Sequence, residues 1–256
     1  MIEVKLSAAA GHTFAAVSSV FSKSSSSAPT RDPLIAASLG ATIAAARSLR
    51  ANARVGSAGQ PLRGKNLAVL LGATPNDDVQ RLHLAAQALG ARVADLRFAE
   101  TGAGRGGIRA LGRMLGRMYD AVDCEGIPDC VARQIEQEAG VPVYQGLCLD
   151  EHAARLAADL MTLQEQHAPS SAPLVFLGDG TTERARRFVA AAREAGFQVL
   201  LNENNRPDVH GAVLLVDATH TARWTLIAGR PIDEAQRSEN HRCVIQAMLL
   251  DVLVRG

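Results

Sequence analysis

Residues 64–98 read GKNLAVLLGATPNDDVQRLHLAAQALGARVADLRF, and this stretch decides the fold. Leu67 to Leu71 is a short apolar run between Gly64 and Gly72, the pattern of a parallel strand buried on both faces. Thr74 to Asp78 supplies turn and capping residues. Val79, Leu82, Ala86 and Leu89 then recur at helical spacing, and Gly90 stops them. Arg92 to Phe98 reads as the next strand, which makes a βαβ unit.

The same cycle extends in both directions. Upstream, Leu34, Leu39, Ile43 and Leu49 fit one helical face. Downstream, the Gly-rich loop Gly102 to Gly107 precedes a helix through Ile108, Leu111, Leu115 and Met118. Ala121 to Cys124 reads as a strand, Val131 to Ala139 as a helix closed by Gly140, and Val141 to Tyr144 as a strand. Asp150 is expected to open a long helix through Leu156, Leu160 and Leu163. A Pro- and Ser-rich hinge, Ala168 to Pro173, follows. Beyond it come a strand at Leu174 to Leu177, the turn Gly178-Asp179-Gly180 and a helix from Glu183 to Ala195. Strands at Phe197 to Leu201 and Ala212 to Val216 come next, and a helix from Glu239 to Leu253 closes the pattern. Alternating strands and helices predict an α/β fold of two doubly wound, Rossmann-like parallel sheets, the second abbreviated. The expected domains are a lobe of residues 32–167 plus 238–256 and a reduced lobe of 168–237. Residues 1–31, Ser- and Ala-rich, are expected to form a flexible arm. The arm lacks arginine before Arg31, unlike a transit peptide.

Composition excludes several functions. Lys+Arg number 27 against 26 Asp+Glu, so no field attracts nucleic acid or an anionic membrane. Aromatic residues make up 4%, too few for base-stacking platforms. No apolar run is long enough to span a bilayer. Cys124, Cys130, Cys148 and Cys243 form no CxxC pair and have no histidine at zinc spacing. Reduced thiols in a cytoplasmic protein, with no metal and no cofactor, are the expectation.

Doubly wound sheets bind ligands beyond the carboxyl ends of their strands, where helix N-termini present free N–H groups. An anion site after Leu71 needs Ser, Thr, Gly or Arg, and the sequence offers Pro75, Asn76, Asp77 and Asp78. Carboxylates there complement the helix dipole and oppose a phosphate. Asn76 or Asp77 is expected as the N-cap.

Several segments carry a resemblance. Leu62-Arg63-Gly64-Lys65 with the strand to Leu71, and the helix ending Ala88-Leu89-Gly90-Ala91, resemble the first domain of aspartate and ornithine carbamoyltransferases. Val141-Pro142-Val143-Tyr144-Gln145-Gly146-Leu147 resembles that family's Val-Pro-Val-x-Asn-Gly-Leu, and His152 to Leu163 resembles its His-Pro-x-Gln-x-x-x-Asp-Leu helix. Leu177-Gly178-Asp179-Gly180 resembles the opening of its second domain, and Glu239-Asn240-His241-Arg242 through Leu249 its closing helix. The resemblance implies the two-domain carbamoyltransferase fold and a homo-oligomer, a trimer in that family. The family's Ser-Thr-Arg-Thr-Arg phosphate motif falls on Pro75, Asn76, Asp77, Asp78 and Val79, which hold neither arginine nor hydroxyl. A further family arginine falls on or near Glu125. Of His-Pro-x-Gln only His152 remains, with Ala153 and Arg155 at the proline and glutamine.

His152 is therefore either the residue that polarises a carbonyl, as the resemblance implies, or a polar residue in the first turn of a capped helix. Arg155, Arg105 and Gln145 are the candidate ligand contacts. Arg109, Arg113 and Arg117 follow Arg105 as an i, i+4, i+8 stripe, a solvated face or a rebuilt anion or partner site. Gly178-Asp179-Gly180 without a full G-x-G-x-x-G is weak evidence for a dinucleotide. Three functions remain open. The first is a catalytically silent carbamoyltransferase homologue acting as a binding, structural or regulatory subunit, with an active carbamoyltransferase as a possible partner. The second is an active transferase of altered specificity using His152 and Arg155. The third is a nucleotide-binding module.

Overall fold

The computed structural model describes residues 39–57, 59–73, 78–98, 105–169, 173–202, 214–221 and 223–254. The expected flexible arm, Leu34, Pro75, Asn76 and Asp77 lie outside them. Helix α1 (Leu39–Arg54) leads into β1 (Asn66–Leu71), α2 (Val79–Ala88) and β2 (Arg92–Arg97). Then come α3 (Arg105–Met118), β3 (Ala121–Glu125), α4 (Asp129–Ala139) and β4 (Val143–Tyr144). These four strands form one parallel sheet in the order β2-β1-β3-β4. All five residues of β3 are buried and four of the six in β1, as a doubly covered parallel sheet requires. One face packs Leu67, Val69 and Leu82 into the main core; the other packs Leu70, Val122 and Cys124 against Ile108, Leu115 and Ile135.

Helix α5 (Ala153–Gln166) carries the chain to the second sheet, where Leu160, Met161 and Leu163 are buried. There β5 (Leu174–Leu177), α6 (Glu183–Glu194) and β6 (Val199–Asn202) form the expected unit, with β7 (Leu214–Asp217) parallel on the other side of β5. Phe176, Phe188 and Trp224 meet there with ring centroids 5.4–6.1 Å apart. Two strands extend beyond the sequence expectation: β8 (Thr225–Ala228) and β9 (Arg230–Pro231) add antiparallel to β7, so this sheet is mixed. The β7–β8 link, 218–224, is too short for the crossover a parallel neighbour needs.

Helix α7 spans Glu234–Val254 and starts five residues before the expected Glu239. Asp233 explains the earlier start, because its Oδ1 accepts from Ala235 N at 3.0 Å and caps the first turn. α7 returns to pack on α1, α2 and α5, and Gln246 Nε2 donates to Ala85 O at 3.2 Å.

Candidate functional site at the carboxyl ends of the first sheet

Between β1 and β3 the strand order changes direction, because β1 connects to β2 on one side while β3 lies on the other. Open α/β sheets hold their ligands at such a switch point. Leu71, the last residue of β1, pairs with Glu125, the last of β3. The next residue, Gly72, donates its N–H to Glu125 O at 2.8 Å. A Cβ at Gly72 would stand 2.1 Å from Gly126 O, so only glycine lets the two chain ends approach so closely.

Asp123 and Glu125, two apart on β3, turn to the same face. Glu125 is wholly buried and Asp123 is 3% exposed. Asp123 Oδ1 accepts from Gly146 N at 2.9 Å and Leu147 N at 3.1 Å. Its Oδ2 and both carboxylate oxygens of Glu125 have no hydrogen-bond partner. Burial pushes the Asp123 carboxyl up to about 6. It pushes Glu125 up to about 7, with further upward pressure from the charges of Asp123 and then Asp78. Cys148, also buried, is pushed up to about 12 by burial, which makes it an inert thiol at neutral pH.

The neighbouring cation is already committed. Arg81, in the first turn of α2, donates to Asp78 Oδ1 at 3.0 Å and to Ser238 Oγ at 3.3 Å. Its Nη1 lies 3.1 Å from His241 Nδ1, whose ring nitrogen Nε2 lies 3.1 Å from Leu147 O. A guanidinium only donates and a carbonyl only accepts, so His241 carries its proton on Nε2 and accepts at Nδ1. Burial, then the Arg81 and Arg155 charges, hold this imidazole well below its ordinary pKa and keep it neutral. Asp78 occupies the N-cap position of α2 but makes no side-chain cap bond; its carboxylate goes to Arg81 instead. Val79, the first residue of α2, packs against the core.

His152 does not sit in the first turn of a helix capped by Asp150. It is itself the N-cap of α5, with Nδ1 accepting from Ala154 N at 3.0 Å. Asp150 instead faces Arg155 Nε at 3.5 Å and Arg184 at 3.8 Å. Arg155, 6% exposed, also lies 3.6 Å from Asp159 and 3.3 Å from Glu234. Arg237 Nη2 donates to both Asp159 oxygens at 3.0 and 3.2 Å, and its Nη1 reaches Trp224 O at 2.9 Å and Glu234 at 3.0 Å. Arg184 covers the Trp224 ring at 4.1 Å. The space left among Asp150, Arg155, Asp159, Arg184 and Trp224 is about 10 Å³, room for a water molecule.

The other sequence candidates are dispersed. Gln145 follows β4 and is half-buried; Arg105 opens α3, with its side chain outside the described residues. Arg109 and Arg113 lie 3.4 and 3.3 Å from Glu138 of α4 at exposed positions. At the turn before α6, Asp179 Oδ1 takes the N–H and hydroxyl of Thr181 at 2.8 and 2.6 Å, which puts a carboxylate where a dinucleotide phosphate would dock.

Sequence reasoning gave no role to Arg81, Asp123, Asp159, Arg237 or His241. Asp123 and Glu125 had a visible signal: two acids on one face of a strand that the sheet order buries on both sides. Asp159 of α5 and Arg237 of α7 carried none, since residues 78 apart in sequence meet only after folding.

No protein-family model matches the chain. It is 31% identical over 164 residues to the catabolic ornithine carbamoyltransferase of Clostridium perfringens strain 13, a match covering 62% of this chain and 49% of that one. The ornithine carbamoyltransferase of C. perfringens strain SM101 matches to the same extent. The chain thus spans about half the length of the curated relatives it matches. Among solved structures, ornithine carbamoyltransferase from Pyrococcus furiosus superposes with a TM-score of 0.65 at 17% identity, over 84% of this chain and 93% of that one. The Burkholderia thailandensis enzyme gives 0.61 at 17% identity, over 84% and 94%. At these identities the superpositions speak for the fold alone.

Proposed function

We propose that the chain, homologous to the ornithine carbamoyltransferases, is a catalytically silent member of the aspartate/ornithine carbamoyltransferase family acting as a binding, structural or regulatory subunit. The observation that carries this reading is Glu125, a fully buried carboxylate with no partner at the switch point of the first sheet. Transfer from carbamoyl phosphate relies on positioning and on stabilising charge on the leaving phosphate. Among the described residues the carboxylates at that crevice are Asp78, Asp123 and Glu125, and Arg81 is spent on Asp78, Ser238 and His241. Losing one stabilising donor typically costs about 100- to 1000-fold in rate, and reversing the sign costs more.

The second reading, an active transferase using His152 and Arg155, finds less support. His152 Nδ1 is taken by the α5 backbone, and Arg155 is surrounded by three carboxylates. Isothermal titration with carbamoyl phosphate tests the proposal: no binding and no turnover with an amino-acid acceptor is expected. Binding at millimolar affinity or better with turnover overturns it. A homotrimer is part of the same proposal, and light scattering on the purified chain checks it.

A further inference from the structure

Loss of phosphate affinity does not account for what stands at the β1/β3 crevice. A silent site could decay to alanine and valine, yet three carboxylate oxygens converge there, buried and unpartnered: Asp123 Oδ2, Glu125 Oε1 and Glu125 Oε2. Each buried polar group left unpaired costs about 1–3 kcal/mol, and native folds leave few of them. The position is independent evidence, because the last rung pairing Leu71 with Glu125 is where the loops of a doubly wound sheet diverge around a ligand. The segment after β4 runs close beside the carboxylate: Gly146 has φ +76°, and a Cβ there would meet the Leu149 side chain at 2.5 Å and Glu125 Oε2 at 3.1 Å.

The chemistry of the occupant follows from the groups that face it. Ionised carboxylates only accept, so the occupant must donate, and two acids side by side call for positive charge. Among the described residues the charged and titratable neighbours are Asp78 and Arg81 of α2, His241 of α7, and Cys148 after β4. Arg81 and His241 bond each other, and the Cys148 thiol stays protonated. Among the described residues no three His, Cys, Asp or Glu side chains converge to hold a metal ion. A nitrogen cation with several N–H donors fits the three free acceptors.

We propose that the crevice between β1 and β3 is a binding site for a protonated nitrogen group, a primary ammonium or a guanidinium, held by Glu125 and Asp123. The proposal rests on the reading above, that this crevice no longer takes phosphate, and names what replaced it. The site is thus inverted in charge.

The test is thermal unfolding of the full chain at mildly alkaline pH, titrated with methylammonium or methylguanidinium chloride up to tens of millimolar. Tetramethylammonium chloride, equal in charge but without N–H donors, is the control. One or both donors should raise the melting temperature where the control does not, and the better one identifies the head group. Glu125→Gln should weaken the response at least about tenfold, and Asp123→Asn should weaken it less because Oδ1 is already bonded. Wild-type affinity should also fall as pH drops below about 7 and Glu125 takes up a proton, a readout that needs no variant. An equal response from tetramethylammonium, an unchanged response in Glu125→Gln, a pH-independent response, or no response to either donor overturns the site. A parallel titration with carbamoyl phosphate separates the two claims: its binding defeats the silent-homologue reading, whereas the amine arm alone decides the cation site.

Discussion

Two clusters of buried charge lie in this molecule, and they are built in opposite ways. Between α5 and α7, Arg155, Asp159, Arg237 and Glu234 alternate in sign, and the most deeply buried pair, Asp159 with Arg237, is bidentate. At the ends of β1 and β3, Asp123 and Glu125 share one sign, and three of their four oxygens go unbonded. A buried ion pair holds its charge because its partner replaces water. A buried lone carboxylate escapes the same penalty by taking up a proton, which is why both β3 acids are pushed upward. The first cluster is a fastener between helices; the second is a site waiting for a partner.

Breaking the fastener should have the largest effect. Arg237→Met strands Asp159, 2% exposed, and is expected to cost about 3–5 kcal/mol, read as a lower denaturant midpoint. The double change Arg237→Met with Asp159→Leu should recover most of it; failure to recover would mean that Arg237 acts through Trp224 O instead.

The second cluster should respond with the opposite sign. At about pH 8, Glu125→Gln removes an unpaired charge and keeps the shape, so it is expected to stabilise by ~1–3 kcal/mol. The gain should vanish below about pH 4, where the wild-type carboxyl is protonated in both states. Such a variant would be steadier and would bind less, the usual exchange at a working site.

The pH profile of the wild type sharpens the contrast. A raised carboxyl pKa lends stability that is present below the ordinary carboxylate range and lost as pH rises through about 6 to 7. His241, held below its ordinary value, acts the other way: stability is present above about 6.5 and falls as the unfolded chain alone takes up the proton. Two acids outweigh one histidine, so these three groups together predict denaturant midpoints that fall as pH rises from about 5 to 7, and a steady rise to alkaline pH would contradict the buried-acid arrangement.

Smaller effects remain outside both clusters. His152→Ala removes the α5 cap and should cost about 0.5–2 kcal/mol, whereas His152→Asn should keep most of it. Arg113→Ala breaks an exposed pair with Glu138 and should stay within about 0.2–1 kcal/mol.

The architecture was readable because its signal is local. Leu67 to Leu71 and Val79 to Leu89 announce strand and helix by run length and spacing, and Gly90, with φ +90°, stops the helix at the expected residue. What escaped depends on contacts distant in sequence. β8 and β9 are short and antiparallel, β8 partly buried and β9 exposed, so no buried apolar run marks them. Asp150 looked like the cap because its carboxylate suits the role, yet Arg155 and Arg184 draw it away and leave the cap to His152. At the site, the acidity of the junction was visible at Asp77 and Asp78, but its burial at Asp123 and Glu125 required the sheet order.

Helix α7 has a consequence in time. It comes from the far side of the second sheet to cover α2, where Gln246 bonds Ala85 O and His241 ties Arg81 to Leu147. On a ribosome adding about 5–20 residues per second, α7 emerges on the order of ten seconds or more after α2. Until then the faces of α1, α2 and α5 that α7 covers stand open beside a growing chain. Synthesis therefore passes through a stage in which chaperone capture and self-association compete with completion of the core. Lesions in α7 should register first as lost soluble yield, at concentrations where the finished protein still melts normally.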